Sequence, residues 1–224
     1  MSADRRGKVK KRPFVAGITG KTGAGKSTAS VFLRRKGYRV IDVDSFAHTL
    51  YEKKGPLYNK ISRAYPGCVS GAAGEIDRQR LGKTVFSSKK EYRKFVSVVF
   101  PVLNRSLERE IKKYCGGMVF LDMAVLFESG FYSKTDCVIL ILASEKKRKE
   151  MAKNARARAK IEKVSGFQDI FGTSKKIALS DYILYNNKNR AALYRKINNL
   201  AEKLRKGDYG RKRGKNKGSG RKSK

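Results

Sequence analysis

Three glycines fall within six positions in the stretch Gly20-Lys-Thr-Gly23-Ala24-Gly25-Lys26-Ser27-Thr28, directly behind the apolar run Phe-Val-Ala-Gly-Ile-Thr that ends at Thr19. The spacing is Gly, four residues, then Gly-Lys-Ser, the pattern of a loop that wraps its backbone N–H groups around phosphate oxygens. Glycine is needed there because the chain must adopt backbone angles that a Cβ resists. A helix starting behind the loop adds its positive N-terminal end. In this pattern Lys26 reaches the outer phosphates and the Ser27 hydroxyl binds Mg²⁺. Gly23, Ala24, Gly25, Lys26, Ser27 and Thr28 are therefore the expected ATP-binding residues. A tight strand-to-helix turn would account for the glycines, but not for Lys26-Ser27.

The rest of the chain alternates in the same way. Apolar runs at 38–43 (YRVIDV), 118–122 (MVFLD), 137–143 (CVILILA) and 182–185 predict further strands. Helices are predicted at 28–36, closed by Gly37, and at 45–53, halted by Gly55-Pro56. Residues 57–114 read as mainly helical, with a capping box at Ser88-Lys-Lys-Glu91 and a helix entered at Pro101. A last amphipathic helix over 190–206 places Leu193, Ile197, Leu200 and Leu204 on one stripe. Strands alternating with helices imply an α/β fold, its parallel sheet covered on both faces, with ligands bound at the carboxyl ends of the strands.

A phosphate loop serves many chemistries, and the second strand narrows them. Val40-Ile41-Asp42-Val43-Asp44 puts two carboxylates at a strand end, beside the loop if strands one and two are sheet neighbours. A kinase needs a carboxylate there to orient an acceptor hydroxyl and take its proton. An alternative role for Asp44 is the N-cap of the following helix, and the two roles are compatible. No guanine-reading Asn-Lys-x-Asp occurs.

Charge bears on partners. The chain has 54 Lys and Arg against 19 Asp and Glu, a net charge of +35. Such a field favours polyanions. Residues 1–12 form a basic leader, and 207–224 a Gly/Lys/Arg-rich tail that reads as disordered and able to hold nucleic acid without sequence preference. No membrane-length apolar run and no secretory leader is visible. Three widely spaced cysteines suggest neither a metal site nor a disulfide framework, so the chain reads as cytoplasmic.

Five segments, "GITGKTGAGKST", "VIDVDSFAH", "GEIDRQRL…VF", "LDMAVLFESG" and "SDYILYNN", resemble dephospho-coenzyme A kinases in order and spacing from about Phe14 to Leu204. The resemblance implies a three-layer P-loop kinase core over 13–206, with a helical substrate-binding insertion at about 55–115 and a lid at about 148–168. It implies transfer of the ATP γ-phosphate to the ribose 3′-hydroxyl of dephospho-coenzyme A, with Mg²⁺ accompanying ATP. Asp44 then matches the catalytic base, and Lys26 the phosphate-loop lysine. Arg78 matches a substrate-phosphate contact, the alternative being an exposed helix cation. Phe127 and Glu128 match the segment lining the acceptor cleft, although Phe127 suits the core equally. His48, the one histidine, is a poor metal ligand.

The chain departs from the family pattern at Phe100-Pro101, where His-Pro is usual, and at Ala124, where proline is usual. In the lid, Arg148, Met151 and Ala155 occupy the positions of Gln-x-x-Arg-x-x-x-Arg. Arg156 and Arg158 are the candidates to replace the displaced arginines. Two other readings stand beside the leading one: a P-loop kinase for another nucleoside- or nucleotide-like acceptor, and a nucleic-acid-binding protein on a decayed kinase core.

Overall fold

The computed structural model describes residues 11–70, 74–152 and 172–208. The chain opens with β1 (Phe14–Thr19), which passes through the glycine loop into α1 (Lys26–Arg35). After β2 (Arg39–Asp42) come α2 (Val43–Tyr51) and α3 (Tyr58–Ala64). A short antiparallel pair, β3 (Val69–Ser70) and β4 (Glu75–Ile76), precedes α4 (Arg78–Val85) and the long α5 (Lys89–Lys112). The chain then returns through β5 (Met118–Asp122), β6 (Cys137–Leu142), α6 (Glu145–Met151), α7 (Thr173–Ala178), β7 (Tyr182–Tyr185) and α8 (Arg190–Arg205).

The large sheet has the order β2-β5-β1-β6-β7, with every neighbouring pair parallel. Successive side chains on a strand point to opposite faces, and each face is buried in its own core. Val15, Val119, Leu121 and Val138 join α2 and α5 on one side. Ala16, Ile18, Phe120, Ile139 and Ile141 join α1 and α8 on the other. Leu193, Ile197, Leu200 and Leu204 are all buried in this second core, as their spacing on α8 predicts. The α/β expectation with a parallel sheet between two helical layers is met.

Local signals explain several boundaries. Gly37 closes α1 with φ +83°, its N–H bonded to the Arg34 carbonyl and that of Tyr38 to the Leu33 carbonyl, a Schellman cap. The Ser88 side chain accepts from the Glu91 N–H at 3.1 Å, the capping contact expected there.

Three points of the sequence pattern are refined or corrected. First, β2 is not the neighbour of β1: β5 lies between them, so Asp42 is in register with Asp122 instead of with the loop strand. Second, no helix starts at Pro101; α5 runs through it. An interior proline removes one hydrogen bond and costs about 3 kcal/mol. The apolar stripe of Tyr92, Val99, Val102, Leu103 and Leu107 continues across it, and that burial outweighs the loss. Third, the stretch from 57 to 114 holds the β3–β4 hairpin among its helices, its strands too short to carry a periodic signal.

Candidate active site

The glycine loop folds as its residue types require. Gly20, Gly23 and Gly25 all have positive φ, at +149°, +79° and +104°. A Cβ on Gly20 would stand 2.2 Å from the Ile141 carbonyl oxygen, and one on Gly25 would stand 2.4 Å from the Asn186 amide nitrogen. Neither position admits a side chain. The helix begins at once, with Lys26 in its first turn, two residues earlier than the sequence pattern suggests. Ser27 is exposed at the same helix end, while Ala24 is buried beneath the loop.

Lys26 lies over this loop, its Nζ donating to the carbonyl oxygens of Gly20 at 2.7 Å and Lys21 at 3.1 Å. Burial pushes the Lys26 ammonium below its ordinary range. The carboxylates of Asp122, Asp44 and Glu128 oppose that shift, whereas Lys176 adds to it. Four charged groups from elsewhere in the sequence therefore act on Lys26, beside the loop that follows β1, and that end of a parallel α/β sheet is where ligands bind.

Each carboxylate is held differently. Asp42 ends β2 and is the N-cap of α2, its side chain accepting from the Ser45 N–H at 3.0 Å. Asp44 thus sits inside the first turn of α2, exposed, and is not the cap. The structure separates the two aspartates that the sequence left paired: Asp42 shapes the helix start, whereas Asp44 is solvent-exposed and its charge acts on Lys26, Asp122 and Tyr51. Asp122, at the end of β5, is only 8% exposed. Burial pushes its carboxyl above the usual range, with Ser30 and Lys26 pulling it back down and Asp42 and Asp44 pushing it further up. The Tyr51 hydroxyl on α2 is pushed up to about 12, by burial first and by the charge of Asp44 second.

Glu128 follows β5 in the segment expected to line the acceptor cleft. Its carboxylate accepts from Lys176 of α7 at 2.7 Å, with the two side chains 2% and 9% exposed. The other carboxylate oxygen is buried and has no hydrogen-bond partner among the described residues. Phe127, beside it, is 1% exposed and packs against Tyr132 in the core. Arg78 is exposed in the first turn of α4, directly after the capping Asp77. Among the described residues no hydrogen bond or ion pair joins it to the loop. Arg156 and Arg158 lie outside the described residues.

Three further groups bear on the loop and the cleft, none with a role legible from the sequence. Arg148 of α6 is buried, and its guanidinium donates to the Thr22 carbonyl of the loop at 3.3 Å. Lys176 completes the Glu128 pair. Asn186, just past β7, donates from its side-chain amide to the Ala24 carbonyl at 2.9 Å. Asn186 carried a visible signal, because it stands at the carboxyl end of a strand within a motif already singled out, and Arg148 stood at the first position of the lid pattern; Lys176 carried none. Among the described residues no helix is long and apolar enough to cross a membrane, and no group of three or more His, Cys, Asp or Glu could hold a metal ion.

A sequence profile of dephospho-CoA kinases matches residues 14–192. A dephospho-CoA kinase of Thermus thermophilus is 34% identical over 153 residues, covering 67% of this chain and 73% of the relative. One from Novosphingobium aromaticivorans is 33% identical, covering 77% and 86%. A crystal structure from Thermus thermophilus superposes with a TM-score of 0.71 at 28% identity, over 87% of this chain and 99% of that one. A dephospho-CoA kinase structure from Campylobacter jejuni shares the fold at a TM-score of 0.61 and 19% identity, over 87% and 98%. A profile spanning most of the sequence and relatives one-third identical make this chain a member of the dephospho-CoA kinase family.

Proposed function

We propose that the chain transfers the γ-phosphoryl group of ATP to the ribose 3′-hydroxyl of dephospho-coenzyme A, giving coenzyme A and ADP. The observation that carries this reading is the glycine loop itself, with Lys26 laid across the Gly20 and Lys21 carbonyls at 2.7 and 3.1 Å and the charges of Asp122, Asp44 and Glu128 acting on its ammonium.

Phosphoryl transfer asks the protein mainly for positioning and charge stabilisation. The loop N–H groups and the N-terminal end of α1 hold the phosphates. On ATP binding Lys26 exchanges its bonds to the Gly20 and Lys21 carbonyls for phosphate oxygens. The Lys26 charge then lies where negative charge develops. Asp44, exposed at the start of α2, orients the acceptor hydroxyl and takes its proton as the bond to phosphorus forms. The bridging oxygen leaves with ADP.

The family's ATP chemistry calls for a divalent cation, and the residues present suit Mg²⁺. Ser27 offers an exposed hydroxyl and Asp122 a carboxylate, both hard oxygen donors, and Mg²⁺ is commonly held by one or two such groups together with substrate phosphates. When bound, the ion neutralises charge on the β- and γ-phosphates.

In this reading residues 13–206 form the kinase domain, about 55–115 the acceptor-binding insertion and about 148–168 the lid. Arg78 contacts an acceptor phosphate, and Arg156 and Arg158 serve the transferring group. The protein works in the cytoplasm. The nucleic-acid reading of the basic tail rests on charge alone, and residues 209–224 lie outside those described.

A panel of acceptors tests the assignment: dephospho-coenzyme A, nucleosides, nucleoside monophosphates and shikimate, each with Mg-ATP and ADP release as the readout. Turnover with dephospho-coenzyme A far above the others supports it. Preference for any other acceptor contradicts it.

A further inference from the structure

Asn186 is 5% exposed and lies 162 residues away from the loop it touches. Its backbone is fixed, because its N–H donates to the Leu142 carbonyl at 2.7 Å and extends the β6–β7 ladder by one bond. Its side-chain nitrogen donates to the Ala24 carbonyl at 2.9 Å and approaches the Met151 sulfur at 3.8 Å. A carbonyl accepts only from a donor, so the NH₂ end of the amide must face Ala24. The next residue, Asn187, accepts the Ser144 N–H at 2.9 Å at the start of α6. The same helix carries Arg148 against the Thr22 carbonyl. One asparagine pair thus ties both the loop and the helix beside it to the end of the sheet.

We propose that Asn186 is a positioning residue for ATP: it aims the Ala24–Gly25 peptide so that the Gly25 N–H meets a phosphate oxygen. The peptide is planar and trans, so its C=O and N–H point in opposite directions. Holding the Ala24 carbonyl toward Asn186 turns the Gly25 N–H away from it. Gly25 needs this anchor because at φ +104° its own preferences fix little. The close approach also explains why position 25 tolerates no Cβ: the atom would meet the Asn186 amide. Asn186 touches no reacting atom and acts through the loop.

The inference rests on reading the loop as the ATP site, but not on which hydroxyl accepts the phosphoryl group. The test is titration of Mg-ATP and, separately, dephospho-coenzyme A into wild type, Asn186→Asp and Asn186→Ala, each compared with wild type at the same pH. Asn186→Asp keeps the volume and removes the donor. At pH 8 both variants should bind ATP roughly tenfold more weakly, the size of one lost hydrogen bond. Affinity for dephospho-coenzyme A should not change. On acidification Asn186→Asp should recover, since a protonated carboxyl donates to Ala24 again, whereas Asn186→Ala should not. If Asn186→Ala does not fold, the pH series of Asn186→Asp decides alone. Unchanged ATP affinity, parallel loss of affinity for both ligands, or no acid recovery of Asn186→Asp would each overturn the proposal. A wild-type protein that binds ATP but phosphorylates some other acceptor would overturn the assignment of function and leave this inference standing.

Discussion

Lys176 of α7 donates to Glu128 at 2.7 Å, and the pair is almost wholly withdrawn from solvent. The two residues are 48 positions apart, and the pair fastens α7 to the segment that follows β5. Removing one member of a buried pair leaves an uncompensated charge and costs about 3–5 kcal/mol. Lys176→Met and Glu128→Gln should each lower the melting temperature clearly. The double variant should melt higher than the sum of the single losses predicts. A thermal double-mutant cycle measures this, and strict additivity would show that the pair contributes nothing as a pair.

Lys26→Ala should reduce turnover by about 10²–10³-fold, the loss seen when one preorganised stabilising donor is removed. The fold should survive, because the Lys26 ammonium is bonded to loop carbonyls and contributes no apolar surface to either core. Steady-state rates paired with a melting curve check both halves. Full activity in the folded variant would remove Lys26 from the mechanism.

The two aspartates of the second strand should separate by measurement as they do in space. Asp44→Asn should depress kcat and leave ATP affinity and melting temperature nearly unchanged. Asp42→Asn should be mild, since asparagine also caps helices; Asp42→Ala should cost about 1 kcal/mol of stability through the lost cap to Ser45. A larger loss of kcat in Asp42→Asn than in Asp44→Asn would move the base from Asp44 to Asp42.

Alkaline unfolding has a defined source in α5. Burial, aided by the charge of Glu128, pushes the Tyr92 hydroxyl from 10.0 to about 12. The folded state therefore holds this proton more tightly than the unfolded state. Its contribution is complete below pH 10.0 and is lost as the pH climbs to about 12. Tyr92→Phe should remove roughly 2–3 kcal/mol of the stability loss across that window, from about 1.4 kcal/mol per unit. Urea midpoints at pH 9 and pH 11.5 give the comparison. An equal loss in wild type and variant would exclude Tyr92 as a source.

Arg148→Ala should lower both the melting temperature and ATP affinity, because its guanidinium is buried against the Thr22 carbonyl. Arg156→Ala and Arg158→Ala should lower turnover with little effect on melting, if they supply charge to the transferring group. Melting curves and initial rates on the three variants test the division. A thermally silent Arg148→Ala would refute its part.

What could be read from the sequence was local. The glycine loop, the Gly37 cap, the Ser88 cap and the α8 stripe each depend on residues within one or two turns of one another. Sheet order was not legible: nothing in 38–43 says that β5 will intervene between β2 and the loop strand. Nor was the continuity of α5, where a proline rule met an apolar stripe and the stripe prevailed. In the site, Lys26 and Asp44 were visible through their motifs. Lys176 and the partner of Asn186 were not, because each contact closes a long loop of chain that local pattern cannot foresee.

The central claim is the identity of the product. Purified protein incubated with Mg-ATP and dephospho-coenzyme A should yield a species heavier by one phosphoryl group, together with ADP, by mass spectrometry. Phosphorus NMR of that species should show a new phosphomonoester on the ribose 3′-carbon. A phosphate on any other hydroxyl, or ADP formed with the acceptor unchanged, would contradict the account.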